Sequence, residues 1–202
     1  MIVSFIRHAS TSWNEAGRMQ GRRDVPLSER GRAQVRTWSV PAELAVGARW
    51  VSSPLARAVE TAELLAGRDV DRESALIEMD WGDWEGRTLD ELHNAHGAAF
   101  AKNEDRGLDF RPPNGESPRD VLERLSPWLR RVANDPGALI AVTHLGVLRV
   151  ILAAATGWDM TGKPPVRLKS DALHRFAIDS TGRVAIVQCN LALAPAVARI
   201  AP

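Results

Sequence analysis

Ile2-Val3-Ser4-Phe5-Ile6-Arg7-His8-Ala9-Ser10-Thr11 is the stretch whose reading decides the fold. Ile2 to Ile6 is a short apolar run rich in β-branched and aromatic residues, the signature of a strand. The run ends abruptly on a cation and an imidazole, followed by small residues. Further apolar runs lie at Arg49 to Ser52, Ala75 to Ile77 and Ala138 to Val142, and two more at Leu173 to Ile178 and Val184 to Cys189. The last two are joined by Asp179 to Arg183, whose Ser-Thr-Gly centre is a hairpin signal, so they read as antiparallel neighbours. Helical periodicity fills the spaces at Glu29 to Trp38, Leu55 to Ala66, Leu89 to Lys102, Pro118 to Ala133 and Val147 to Thr156. Strand and helix alternate, which argues a mainly parallel sheet covered by helices on both faces.

Several boundaries carry chemical punctuation. Ser28 stands before one helix with Gly31 three residues on, and Ser117 stands before Pro118 at a first helical position. Asn134, Asp135, Pro136 and Gly137 stop that same helix. Arg106 to Glu116, with Pro112, Pro113, Asn114 and Gly115, reads as a long surface loop. No internal repeat appears.

The chain has 202 residues, 45% hydrophobic and 25% charged, which suits one α/β domain that folds unaided. Lys plus Arg total 26 against 25 for Asp plus Glu, so affinity for an anion must come from local clusters of arginine. Nucleic acid is not expected as a partner. A single cysteine, Cys189, cannot form an intramolecular disulfide, and the N-terminus enters a strand without a signal-peptide pattern, so a cytoplasmic protein is expected. No segment is apolar for long enough to span a bilayer, and a membrane partner is not expected. Trp occurs seven times and Tyr not at all.

In open α/β sheets ligands gather beyond the carboxyl ends of strands. There the sequence places Arg7 and His8, then Arg57, then Glu78, then His144. This inventory suits phosphoryl transfer without a metal. A neutral imidazole, His8, can attack phosphorus and carry the group covalently. Guanidinium groups, Arg7 and Arg57, can hold the equatorial oxygens. A carboxylic acid kept protonated by burial, Glu78 beside Trp81 and Trp84, can protonate the leaving alkoxide. His144, at a helix start, suits contact with the phosphoryl group. Asp80, Asp83 and Glu85 compete with Glu78 for the acid's role.

These residues resemble the histidine phosphatase superfamily, also called phosphoglycerate-mutase-like. RHAST from Arg7 to Thr11, continuing through Trp13 and Asn14, is similar to the family's opening motif with its nucleophilic histidine. PLSERGRAQ from Pro26 to Gln34 resembles the segment that follows. SSPLARAVETA from Ser52 to Ala62 is similar to the segment supplying the second arginine. LIEMDWGDWEG from Leu76 to Gly86 resembles the acid segment, and VTHLGVLR from Val142 to Arg149 the second histidine. Two positions depart from the pattern: Ala9, where the family usually has glycine, and Leu145, where it often has a small residue or glycine. A positive φ at residue 9 would strain alanine.

The resemblance implies a three-layer α/β/α sandwich with a mixed, mostly parallel sheet, one domain over residues 1–202, and a helical cap insertion at about 86–117. Asn14 and Thr11 are candidates for hydrogen bonds to the phosphate, with capping as the competing role. The resemblance places Arg22, Arg23 and Glu116 where family members contact substrate. It implies no cofactor and no metal. His93 and His96, three apart on a helix, have no ligand framework and read as a solvated face; His174 reads as structural. The expected activity is hydrolysis of a small phosphorylated metabolite through phosphohistidine at His8, in a monomer or homodimer. Asn114 to Ser117 resembles an element of small-sugar, bisphosphate and α-ribazole phosphatases. A phosphoglycerate mutase and a catalytically silent phosphoprotein-binding module are the alternatives. The compact chain without tyrosine favours the hydrolase, and the intact nucleophile and acid disfavour the silent binder.

Overall fold

The computed structural model describes residues 1–135 and 137–195. The strands are β1 (Ile2–Arg7), β2 (Trp38–Ser39), β3 (Arg49–Ser52), β4 (Asp71–Arg72), β5 (Leu139–Thr143), β6 (Ala172–Ile178), β7 (Val184–Ala192) and β8 (Ala194–Pro195). The α-helices are α1 (Ser12–Glu15), α2 (Glu29–Arg36), α3 (Ala42–Ala45), α4 (Ala56–Ala66), α5 (Leu89–Glu104), α6 (Pro118–Ala133) and α7 (Leu145–Thr156). Six strands form one sheet in the order β4-β3-β5-β1-β6-β7, and β2 pairs separately with β8. Within the six, β6 alone runs against the rest.

The side-chain alternation of the central strands builds three layers. Val3 and Phe5 of β1 and Leu139 and Ala141 of β5 face α6 and α7, meeting Leu125, Leu129, Leu148 and Ile151. Ile6, Ile140, Val142 and Trp50 face the other way, onto Ala58 and Ala62 of α4. Each fully buried aliphatic side chain of this kind stabilises the fold by about 1.5–3 kcal/mol relative to exposure. Neither face can therefore be left open to water.

The order β3-β5-β1 positions the site. The chain leaves β1, skips one place to form β3, and returns later to insert β5 between them. Arg7 pairs with Thr143 and Ser52 with Val142, so the three carboxyl ends finish at one level. The ladder runs on past the strands, with His8 N donating to Thr143 O at 2.9 Å and Ser53 N to Val142 O at 2.9 Å.

Helix caps follow the sequence signals. Ser28 accepts from Gly31 N to cap α2, and Ser117 forms a capping box with Asp120 ahead of Pro118 in α6. Asn134 is the C-cap of α6; Pro136 of the predicted stop lies outside the described residues. The Asp179–Arg183 turn closes as expected, its Asp179 carboxylate accepting from Thr181 N and Arg183 N.

Three expectations need correction. Ala75 to Ile77 is not a strand but part of a 3₁₀ turn at Ser74–Leu76. The sheet's edge strand is instead Asp71–Arg72, two exposed polar residues that leave no apolar signature. The helix expected to reach Trp38 ends at Arg36, because Trp38 pairs with Pro195. The last helix starts two residues early, at Leu145, directly after His144. Segment 86–117 holds α5, which is interrupted at Gly97 (φ 47°), and a 3₁₀ turn at Gly107–Asp109. Its Leu92 and Phe100 pack with Trp84 in a small core of their own. Among the described residues no helix is long and apolar enough to cross a membrane.

Candidate active site

Arg7, His8, Arg57, Glu78 and His144, read from four separate places in the chain, come together at the rim of β3, β5 and β1. The rings of His8 and His144 lie 5.0 Å apart between centroids. His8 is buried, and its Nδ1 lies 2.7 Å from the carbonyl oxygen of Ala9. A carbonyl only accepts, so Nδ1 carries the proton and the lone pair sits on Nε2. Burial lowers the His8 pKa well below the usual imidazole value, and the charges of Arg7 and Arg57 push the same way. His8 is thus neutral, with a free nitrogen lone pair, among fixed cations.

Ala9 is not strained, because its φ is not positive. Its amide instead donates to Thr61 Oγ1 on α4 at 3.2 Å.

Arg57, in the first turn of α4, is fully buried. Burying an unpaired guanidinium costs several kcal/mol. Here Nη1 and Nη2 donate to the carbonyls of Arg23 and Gly21, each at 2.8 Å. Arg7 Nη1 donates to Ser170 Oγ at 2.6 Å. The Nε atoms of both arginines and Nδ1 of His144 are buried without a protein partner. Three such groups around one imidazole form a site that suits an oxyanion. A cavity of about 60 Å³ opens beside His8, lined also by Arg7, Ser10, Asn14 and Ser170.

Glu78 follows the 3₁₀ turn and is buried. Burial raises its pKa, outweighing the amides of Met79 and Gly146 and the charges of Arg57 and Arg7. Those amides reach its two oxygens at 2.8 and 3.2 Å. A Cβ on Gly146 would lie 2.4 Å from Glu78 Oε1, so any larger residue there would displace the carboxyl group. The rival carboxylates are engaged elsewhere: Asp80 accepts from Gly82 N, Asp83 from Asn114 Nδ2, and Glu85 from Arg22 N.

Beside the acid lies a larger cavity of about 380 Å³, lined by Met79, Trp81, Phe110, Gly146, Arg149 and Met160 among others. Glu104, Asp105 and Gly107 of segment 86–117 also contribute to its wall.

The remaining candidates divide. Asn14 lines the small cavity while its Oδ1 accepts from Thr11 N in a capping box. Thr11 is fully buried, and its hydroxyl caps α1 and lies 2.9 Å from Gln20 Oε1. Arg22 donates to Glu116 at 2.6 Å. Arg23 supplies its carbonyl to Arg57, with its side chain exposed near Glu85. His93 and His96 are exposed. His174 is buried in β6 and bonded to Lys169 O and Asn190 N.

Sequence reasoning missed Ser53 and Ser170. Ser53 Oγ lies 2.7 Å from His144 Nε2 and orients that ring. Its only signal was a hydroxyl placed directly after a strand.

Comparison with known proteins agrees with this geometry. A model of the histidine phosphatase superfamily (branch 1) matches residues 3–191. The probable phosphoglycerate mutase GpmB of Cronobacter sakazakii is 30% identical over 178 residues, 86% of this chain and 83% of that protein. A glucosyl-3-phosphoglycerate phosphatase of Mycobacterium tuberculosis is 36% identical over 167 residues, 74% and 72% of the two chains. A solved structure of the mycobacterial glucosyl-3-phosphoglycerate phosphatase complexed with VO3 aligns with a TM-score of 0.77 at 30% identity, covering 95% of this chain and 99% of that one. An Arg-His pair ending a central strand, a second arginine and a second histidine at the neighbouring strand ends, and a match over nearly the whole length place the chain in branch 1 of the histidine phosphatase superfamily.

Proposed function

We propose that the protein is a phosphomonoester hydrolase for a small phosphorylated metabolite, working through phosphohistidine at His8. The observation that carries this reading is the fixed tautomer of His8: Nδ1 is held by the Ala9 carbonyl, and Nε2 is free beside Arg7 and Arg57, whose Nε atoms are buried without a protein partner. Nε2 attacks phosphorus while the ester oxygen leaves with a proton from Glu78. Water then attacks the phosphohistidine, and the Glu78 carboxylate takes up water's proton. Arg7, Arg57 and His144 hold the oxygens, and Asn14, which lines the small cavity, donates a further hydrogen bond from its side-chain Nδ2.

The leaving group's body occupies the larger cavity beside the acid. Its wall sets Met79, Trp81, Phe110 and Met160 beside the charged Glu104, Asp105 and Arg149, and the Arg149 Nε is buried without a partner. The relatives named as phosphatases support hydrolysis, and the relative named as a probable mutase marks the alternative fate of the same phosphohistidine. A screen of phosphomonoesters with phosphate release as readout tests the reading. A protein that binds esters but releases no phosphate from any of them would refute it. One thiol and balanced charge support a cytoplasmic enzyme, monomeric or homodimeric, acting on small molecules and not on nucleic acid or membranes.

Two expectations follow directly. Vanadate, which takes up the trigonal-bipyramidal shape of the transferring group, inhibits competitively, and VO3 is the anion bound in the mycobacterial relative. Arg57→Ala weakens that inhibition by roughly 10- to 100-fold, the size of one or two lost charge-assisted hydrogen bonds. Inhibition constants measured on folded variant decide it, and an unchanged constant puts the anion elsewhere. Because Arg7 and Arg57 supply the positive charge, prolonged EDTA treatment leaves turnover unchanged. Loss on chelation, with recovery on adding Mg²⁺ or Zn²⁺, overturns the proposed chemistry.

A further inference from the structure

The segment that presents Glu78 is irregular, and it hangs from side chains of other elements. Four successive carbonyls accept hydrogen bonds in this way. Arg124 Nη1 donates to Ala75 O at 2.6 Å and Thr143 Oγ1 to Leu76 O at 2.8 Å. Arg124 Nη2 donates to Ile77 O at 2.6 Å and to Glu78 O at 3.2 Å. One guanidinium from the middle of α6 therefore satisfies three of the four. Its planar fork of five donors makes this possible, and a lysine ammonium cannot reproduce it.

Arg124 is itself held. Its Nε and Nη2 lie 3.2 and 3.3 Å from the Glu116 carboxylate oxygens. Glu116 also grips the acid segment directly, with Oε2 accepting from Asp80 N at 3.2 Å and its own amide donating to Asp80 O at 2.9 Å. The loop carrying Glu116 lies flush on this segment: Gly82 has φ 49°, and a Cβ there would sit 2.1 Å from Pro113 O. Both side chains are mostly buried, at 20% and 18% exposure, so the pair is poorly screened by solvent.

We propose that Arg124, braced by Glu116, is a positioning residue for proton donation by Glu78. It fixes the carbonyl track from which the Glu78 side chain projects, and through it the place of the carboxyl group. This rests on the reading of Glu78 as the acid. In the step concerned, the His8 Nε2–P bond forms as the ester P–O bond breaks. The electron pair passes to the ester oxygen, which takes the Glu78 proton and leaves the carboxylate behind. An acid misplaced by about 1 Å loses on the order of 100-fold in such a step.

The test compares two substrates on one preparation, so that the folded fraction cancels in their ratio. An alkyl phosphate needs its leaving oxygen protonated; 4-nitrophenyl phosphate releases a stable phenolate. Arg124→Met is expected to lower kcat on the alkyl ester by about 10- to 100-fold, with less than about a threefold change on the aryl ester. Arg124→Lys, kept in hand in case Arg124→Met does not fold, shifts the ratio in the same direction by a smaller factor. In a Glu78→Gln background Arg124→Met moves the ratio no further, since no acid remains to be positioned. A merely structural arginine would lower both rates together, and that result overturns the proposal, as does a shift that adds to that of Glu78→Gln. If Glu78→Gln itself lowers both rates equally, the acid reading fails and takes the proposal with it. If Glu78→Gln is selective and the Arg124 variants are not, the proposal alone fails.

Discussion

Replacing His8 with alanine is expected to abolish phosphomonoester turnover and to remove the phosphate that a rapid quench in base otherwise traps on the protein. The adduct should be labile in acid and stable in base, as a phosphorus–nitrogen bond is and phosphoserine is not. The loss should far exceed the roughly 10- to 100-fold typical of a positioning contact, because no alternative covalent route remains. The geometry explains the expected size. The Ala9 carbonyl fixes the proton on Nδ1, burial and two arginines keep the ring uncharged, and Nε2 is left to react. Because the pKa is depressed, His8 remains nucleophilic through neutral pH and is lost to protonation only well on the acid side of an ordinary histidine. The same quench separates the alternatives. A hydrolase passes the label to water within about a turnover, whereas a mutase shields it and returns it to added phosphoglycerate. A silent binder never acquires it. Full activity in His8→Ala, or a trapped adduct on Ser10 or Thr11, would sink the phosphohistidine mechanism.

The features legible in the sequence share one cause: a buried strand has an apolar signature, and its end is marked by the polar residue that follows. His8, His144 and the approach to Arg57 could be placed for that reason, since β1, β3 and β5 are central strands buried on both faces. β4 could not, because a two-residue polar strand at the sheet edge carries no periodicity. The run Ala75 to Ile77 misled in the opposite sense. Leu76 is fully buried, but it belongs to a turn whose carbonyls are held by side chains and not by a strand ladder. Glu78 nevertheless follows that run directly and lies near Arg7 and Arg57. What no local pattern could show is partnership across the chain. Ser53 meets His144 across 91 positions, and Arg124 meets the acid segment across 46 to 49. Thr11 and Asn14 had two readings in the sequence, phosphate contact and capping. The structure puts both in the cap of α1, Thr11 Oγ1 accepting from Asn14 N and Asn14 Oδ1 from Thr11 N, while Asn14 also lines the small cavity.

Glu78→Gln is expected to cost on the order of 10²- to 10⁴-fold in turnover of alkyl phosphates, the usual contribution of a positioned acid. An activated aryl phosphate should lose much less. The pH dependence gives the second readout. Burial raises the Glu78 pKa, so the acid form outlasts that of an ordinary carboxyl group, and activity on alkyl esters falls as pH rises through the raised value. In Glu78→Gln that limb disappears from the residual activity. Stability follows the same sign. A group whose folded pKa lies above its unfolded value stabilises fully below the unfolded pKa and loses that contribution as pH rises through the folded one. The stability of the wild-type protein relative to Glu78→Gln should therefore decline as pH rises above the ordinary carboxyl range and through the raised value, as read from denaturant midpoints. His8 and His144 act oppositely, their lowered values favouring the fold above the ordinary histidine range and weakening it as pH falls. Equal losses on alkyl and aryl esters, with the alkaline limb unmoved, would make Glu78 an orienting residue. The acid would then have to be sought among Asp80 and Asp83, both already engaged by neighbouring groups.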